Sequence, residues 1–184
     1  TESAILKMFH MSRKDEPFGE VIRSLNLTPV SISYEYDPCD QAKARELYIR
    51  ATTGSYTKVP GEDDVSIAKG ITGYKGRVHV NFAAPITELF EDTKQLAIEM
   101  DKQILSGYRL FPVHYLAYAQ WKDADPQLQV PKAAEVFAAD ELAKAQEEWQ
   151  RRLEACPEEH RPFLVLQYAT PVRNQYRVKA GLPL

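Results

Sequence analysis

The chain has 184 residues, of which 44% are hydrophobic and 27% are charged, so it is long and apolar enough to bury a core. Its net charge of −3 excludes a generally basic surface for nucleic acid. The two cysteines, Cys39 and Cys156, are far apart in the sequence and form neither a disulfide framework nor the spacing of metal ligands. The sequence contains no run of about 20 apolar residues and no secretory signal.

The N-terminal third is predicted to contain two short helices and one strand. Apolar residues recur at helical spacing over residues 4–11 and 18–25. From Pro29 to Glu35, apolar and polar residues alternate, which is typical of a half-buried strand. The alternation favours a strand that buries Val30, Ile32 and their apolar neighbours.

Two more helices and a second strand follow. Charged helices are predicted over residues 40–52 and 62–71. The segment Arg77 to Phe82 alternates again and ends before a proline. No other segment indicates a strand so clearly.

The remainder of the chain is predicted to be helical. Its helices cover residues 89–107, 112–121, 133–156 and 157–176. A proline-containing stretch over residues 123–131 is the best internal linker.

This pattern predicts an α/β fold with a few-stranded, parallel sheet remnant and covering helices, followed by an all-helical C-terminal region. Two strands joined through helices suit a parallel crossover. A lone two-stranded sheet is marginal in water. Either the helices enclose the pair or, as we expect, further strands lie upstream of Thr1. The predicted domains are residues 1–87 and 88–184.

One pattern has the form of a catalytic dyad. His10 and Asp15 are separated by four residues, and such a pair can act as general base and orienting carboxylate. The spacing also arises by chance in a chain with this many aspartates, and no predicted strand leads into this segment. We therefore predict that the pair is not catalytic, and we assign no catalytic residue.

Basic side chains near the second strand suggest an anion-binding patch. His79 shares the polar side of that strand with Arg77, and Lys58 lies in a loop beside a glycine and two hydroxyls. A solvated sheet face is the slightly preferred interpretation of Arg77 and His79. The loop lacks the ending of a phosphate loop.

Acidic residues gather where the first strand ends. Glu35, Asp37 and Asp40 could bind a metal, but no histidine or fixed spacing supports this, and helix capping is the preferred interpretation. No metal or other cofactor is predicted. The aromatic segment over residues 108–121 suits a core helix or, as an alternative, contact with a membrane or an apolar ligand.

Several segments, in order, resemble a known enzyme family. Residues 27–32 (LTPVSI) look like the fourth conserved block of the glycerol-phosphate and lysophosphatidate acyltransferases, and residues 75–86 look like a later strand of that fold. Residues 33–38, 107–112 and 168–174 are similar to a bacterial subgroup.

The resemblance implies acyl transfer from acyl-CoA or acyl carrier protein to glycerol 3-phosphate or lysophosphatidate in phospholipid synthesis. In the family, a His-x-x-x-x-Asp dyad and a Glu-Gly-x-Arg block both precede the proline-bearing strand, the dyad by roughly a hundred residues. Only 28 residues precede Pro29 here, and they contain no Glu-Gly-x-Arg sequence. The His10–Asp15 pattern lies where the family places a helix after the phosphate block, so it does not inherit the catalytic role. The chain is therefore expected to be the C-terminal part of such an enzyme and inactive alone. Pro29 carries over as a wall near the substrate, and Lys58, Arg77 and His79 are expected to bind substrate from their charge.

The expected location is the cytoplasm, and peripheral contact with the inner membrane and self-association through an unpaired sheet edge stay open. The alternative function is a non-catalytic helical protein-interaction module built on the chain from Leu89 onward.

Overall fold

The computed structural model describes residues 1–184 and contains nine α-helices and one two-stranded sheet. Six elements come first: α1 (Ser3–His10), α2 (Phe18–Ser24), β1 (Val30–Tyr34), α3 (Asp40–Thr53), α4 (Glu62–Thr72) and β2 (Val78–Phe82). Five helices follow: α5 (Thr93–Gly107), α6 (Pro112–Gln120), α7 (Ala133–Val136), α8 (Ala139–Ala155) and α9 (Arg161–Lys179). This order confirms the predicted small sheet and helical C-terminal region.

Helix boundaries differ from the predicted ones where the local backbone sets them. Helix α5 begins at Thr93 rather than Leu89, because the Asp92 carboxylate accepts hydrogen bonds of 2.8 and 2.9 Å from two N–H groups of the first turn. The single helix predicted over residues 133–156 is instead α7 and α8. Extended backbone at Phe137, with φ −122° and ψ 150°, separates them.

The strands pair antiparallel, so the predicted parallel sheet is wrong. The N–H of Ala83 donates to the carbonyl of Pro29 at 2.9 Å, and the N–H of Glu35 donates to the carbonyl of Arg77 at 2.9 Å. A single crossover helix returns the chain parallel to its first strand. The connection here holds two helices, α3 and α4, and the second adds one more reversal of direction.

The buried face of the sheet is the polar one, opposite to the expectation from the alternation. Ser31, Ser33 and Glu35 are buried, and the apolar side chains that alternate with them are exposed. The exposed set is Val30, Ile32 and Tyr34 on β1 and Val78, Val80 and Phe82 on β2. Small serine side chains leave space for close backbone approach. A Cβ on Gly107 would lie 3.1 Å from Ser31 Oγ and 2.1 Å from Asn81 Nδ2.

The chain divides into two compact units, each built from two stretches. Unit 1 comprises Thr1–Ile32 and His79–Tyr108. Its core joins α1, α2 and α5 through Leu6, Ile22, Ile86, Leu96 and Ala97. The hydroxyl of Thr1 also donates to the Asp101 carboxylate, which anchors the start of α1 to α5.

Unit 2 comprises Ser33–Val78 and Arg109–Leu184. Helices α3, α6, α8 and α9 supply its core, which includes Phe111, Val113, Trp149, Leu164 and Tyr168. The predicted boundary after residue 87 stays a prediction. Each helix in the chain is too short or too polar to span a bilayer.

Candidate functional site

The predicted basic residue Lys58 lies in a groove of unit 2. The groove has a volume of about 450 Å³ and lies beside α3 and α4. It contains three lysines, and two of them are paired: Lys58 Nζ lies 2.5 Å from Asp63, and Lys43 Nζ lies 2.5 Å from Asp37. The hydrogen bond from Lys58 to Asp63 raises the pKa of Lys58. Its charge is therefore already matched within the groove.

The third lysine of the groove binds backbone instead of a carboxylate. Lys75 Nζ donates to the carbonyls of Ile71 at 2.9 Å and Gly73 at 3.1 Å. These carbonyls lie at the C-terminal end of α4, where a cation is favoured by the helix dipole. Acidic side chains also line the groove, including Glu46 and Glu62. The groove is thus a mixed-charge surface rather than a built phosphate site.

Arg77 lies in a different groove and is bound by two carboxylates. Its guanidinium makes a two-pronged pair with Glu35, with Nε–Oε2 at 3.0 Å and Nη2–Oε1 at 2.7 Å. Nη1 lies 2.5 Å from Glu141, and the guanidinium carbon lies 4.9 Å from the ring centre of Phe111. Burial favours the neutral form of Glu35, but the Arg77 hydrogen bonds and charge outweigh it and lower the Glu35 pKa. Arg77 therefore has structural partners within unit 2, where it joins Glu35 to Glu141.

Pro29 and His79 belong to unit 1. Pro29 is buried, and its carbonyl accepts the Ala83 N–H, so it begins the strand pairing. His79 is half-buried on β2. The four residues predicted to bind substrate are thus divided between the units, and Lys58 and Arg77 line separate grooves. Their substrate-binding roles stay predictions.

The His10–Asp15 pattern does not form a dyad in the structure. His10 Nε2 lies 2.8 Å from the backbone carbonyl of Glu16. The edge of its ring packs on Phe18, with 5.6 Å between ring centres. A histidine held this way joins the end of α1 to the start of α2, which gives it a structural role.

Sequence reasoning missed a buried charged cluster that joins α3, α8 and α9. Arg152 Nη1 lies 2.5 Å from Asp40 Oδ2, and the Tyr168 hydroxyl donates to the same oxygen at 2.8 Å. Arg152 Nε lies 2.7 Å from Glu148, and the guanidinium lies 4.6 Å from the Tyr36 ring centre. Burial, and next the Asp40 charge, raise the pKa of Tyr168, so the hydroxyl stays protonated. Because Asp40 and Arg152 are 112 residues apart, no local pattern could reveal them.

The acidic group at the end of β1 is divided among different partners. Glu35 binds Arg77, Asp40 binds Arg152, and Asp37 Oδ1 accepts the N–H of the residue two positions later at 2.8 Å. No group of three residues of the types that bind metals is arranged around a common centre. These carboxylates therefore act as structural partners.

His114 is a second buried group that the sequence did not single out. It lies in the first turn of α6, is 2% exposed, and its Nδ1 accepts the Phe111 N–H at 2.8 Å. Burial lowers the pKa of His114 to about 4. The neutral imidazole thus closes the N-terminus of α6, and its role is structural.

No family model, curated protein or solved structure matches the chain. The family resemblance therefore depends on the residues quoted from the sequence.

Proposed function

We propose that the chain is the C-terminal part of a bacterial acyltransferase that moves an acyl group from acyl-CoA or acyl carrier protein to glycerol 3-phosphate or lysophosphatidate. The ordered series of family-like segments motivates this proposal, and the uncovered sheet supports the fragment part of it. In this proposal the residues that perform the chemistry precede Thr1, and the enzyme works in the cytoplasm or at the inner membrane surface.

The observation that carries the fragment proposal is the exposed apolar face of the sheet. Ile32 is 49% exposed, Val80 46% and Phe82 72%. A sheet in an α/β domain buries its apolar faces under helices, and single-chain domains rarely leave such faces open. A missing layer that covers this face is the simplest explanation.

Helix α4 shows the same incompleteness within unit 2. None of its residues is buried. Ile67 and Ile71 lie four residues apart on one face of the helix and are 61 and 73% exposed. A helix with an apolar stripe normally packs that stripe against another layer. The proposed N-terminal half would supply that layer.

An activity assay tests the fragment proposal. The isolated chain, given acyl-CoA with glycerol 3-phosphate or lysophosphatidate, is expected to show no turnover above a no-protein control. The matched variant is His10→Ala, which is expected to behave identically. Robust turnover by the chain, lost in His10→Ala, would contradict the fragment proposal.

The coding sequence upstream of Thr1 tests the family assignment separately. It is expected to encode a His-x-x-x-x-Asp motif followed by a Glu-Gly-x-Arg block. The longer protein should then transfer acyl groups, and alanine at the motif histidine should abolish the transfer. An upstream reading frame without both blocks would refute the assignment.

The helical interaction module has no comparable support. From Leu89 onward only four large apolar side chains are exposed, namely Leu89, Ile98, Val136 and Leu184. The exposed large apolar residues lie mainly within residues 1–87, the first predicted domain. That alternative stays a prediction, and the capture of a stable protein partner by the longer protein, without acyl transfer, would favour it.

A further inference from the structure

Unit 1 presents an apolar patch on its sheet that no residue of the unit buries. The patch consists of Val30 and Ile32 on β1 and Val80 and Phe82 on β2, between 39 and 72% exposed. The antiparallel register places Val30 opposite Phe82 and Ile32 opposite Val80. The patch, which we term the sheet patch, contains no charged side chain.

The same unit presents an apolar stripe on helix α1. Ile5, Met8 and Phe9 have the i, i+3, i+4 spacing of one helix face and are 55, 64 and 40% exposed. Leu6, on another face of the helix, is 2% exposed and anchors α1 in the unit 1 core. The stripe, which we term the α1 stripe, is therefore held on the surface by the helix's own packing.

The sheet patch and the α1 stripe are complementary surfaces. A sheet face is normally covered by a helix, and an amphipathic helix normally covers a sheet or another helix. Neither surface has that partner within unit 1, since both are exposed. We infer that the isolated chain forms a two-fold dimer in which the α1 stripe of each copy covers the sheet patch of the other.

The exposed apolar area is large enough for a stable dimer only if both stripe-and-patch contacts form. Side chains of this size have full areas of roughly 150–250 Å², so the exposed fractions give roughly 700 Å² per stripe-and-patch contact. One such contact belongs to the weak, transient class, whereas the reciprocal pair reaches about 1,500 Å² and the range of stable interfaces. Two-fold symmetry requires both contacts to form together.

The inference rests on the proposed function in one respect only. If an N-terminal half covers these surfaces in the longer enzyme, the dimer is a property of the chain without that half. A monomeric chain would overturn the dimer and leave the coding-sequence test of the proposed function unaffected. Conversely, a dimer of this geometry would persist even if the upstream sequence lacked the family motifs.

Sedimentation velocity at about 1 to 100 µM tests the association itself. The unchanged chain is expected to shift from monomer to dimer over this range. Met8→Asp in the α1 stripe and Val80→Asp in the sheet patch should each weaken dimerisation at least about tenfold, because each charge would be buried without a partner. Ile98→Asp changes a residue 47% exposed on α5, outside both surfaces, and should leave the dimer unchanged.

Disulfide trapping tests the geometry and does not depend on these charges. Met8→Cys and Val80→Cys chains, mixed under mild oxidation, should form more cross-linked heterodimer than either gives alone, while native Cys39 and Cys156 are buried. Circular dichroism should show that all variants are folded. A chain monomeric at the highest concentration overturns the inference. The inference is also overturned if Val80→Cys chains cross-link to each other as readily as to Met8→Cys chains, because that result would indicate sheet-to-sheet contact.

Discussion

The buried imidazole of His114 makes a quantitative prediction about stability and pH. Its pKa in the folded protein is about 4, against an ordinary value of 6.5. Between these two values the unfolded chain binds a proton that the folded protein does not. The contribution of His114 is therefore fully present above pH 6.5 and is lost as the pH falls towards 4. The slope is about 1.4 kcal/mol per pH unit, so the free energy of unfolding should fall by about 2 kcal/mol between pH 7 and pH 5.

The pH window separates this effect from that of Glu35. The depressed pKa of Glu35 stabilises the folded protein above its ordinary value of 4.5, and this stability is lost below that value. Between pH 7 and 5 the Glu35 contribution hardly changes. The slope in this window should therefore report His114.

Urea unfolding at pH 7, 6 and 5, followed by tryptophan fluorescence, measures the slope. Trp149 is a suitable reporter because it is buried in the same core, with its ring 5.1 Å from that of Tyr168. The matched control is His114→Gln, which keeps an acceptor at the third position of α6 and does not titrate. The reasoning is refuted if the unchanged chain loses less than about 0.5 kcal/mol, or if His114→Gln keeps the full slope.

Two further stability predictions concern buried polar contacts. Asp40→Ala leaves the Arg152 guanidinium with one carboxylate fewer in a buried cluster and should lower the free energy of unfolding by about 3–5 kcal/mol. The double variant Asp40→Ala, Arg152→Met removes the buried charge as well and should lose less stability than Asp40→Ala alone. A larger cost in the double variant would contradict this, as measured by urea unfolding. Gly107→Ala should gain up to about 1 kcal/mol of helix propensity. The new Cβ would lie 2.1 Å from Asn81 Nδ2, and this overpacking should cost about 1–3 kcal/mol, so the free energy of unfolding should fall. The same change in an Asn81→Ala background should be neutral or stabilising by thermal unfolding, and an equal loss in both backgrounds would refute the contact argument.

The sequence was informative wherever local spacing determines structure. The predicted positions of β1, β2, α3, α4 and α6 agree with the structure to within one or two residues, because hydrophobic period and helix-stopping residues act over a few positions. The break between α7 and α8 was not predicted, since no proline or glycine marks Phe137. Strand direction was also missed, because it depends on how two helices return the chain rather than on the strands.

The orientation of the sheet could not be inferred from alternation alone. An alternation with a period of two residues indicates that Val30 and Ser31 point to opposite faces of the sheet. It does not indicate which of the two faces the rest of the chain covers. The general preference for buried apolar residues favoured Val30, and the structure buries Ser31 instead. The Asp40–Arg152 pair was beyond sequence reasoning for a related reason, because contacts between residues more than a hundred positions apart leave no local pattern.

The Asp40–Arg152–Tyr168 cluster has a consequence for synthesis on the ribosome. Asp40 begins α3, but its partners Arg152 and Tyr168 lie on α8 and α9, more than a hundred residues further along the chain. Because synthesis adds about 5–20 residues per second, on the order of ten seconds pass between the addition of Asp40 and the addition of Tyr168. During that interval α3 has to remain solvated or be held by a chaperone. A ribosome stalled before α9 should therefore display a protease-sensitive α3, and a ribosome stalled after α9 has emerged should display a protected one.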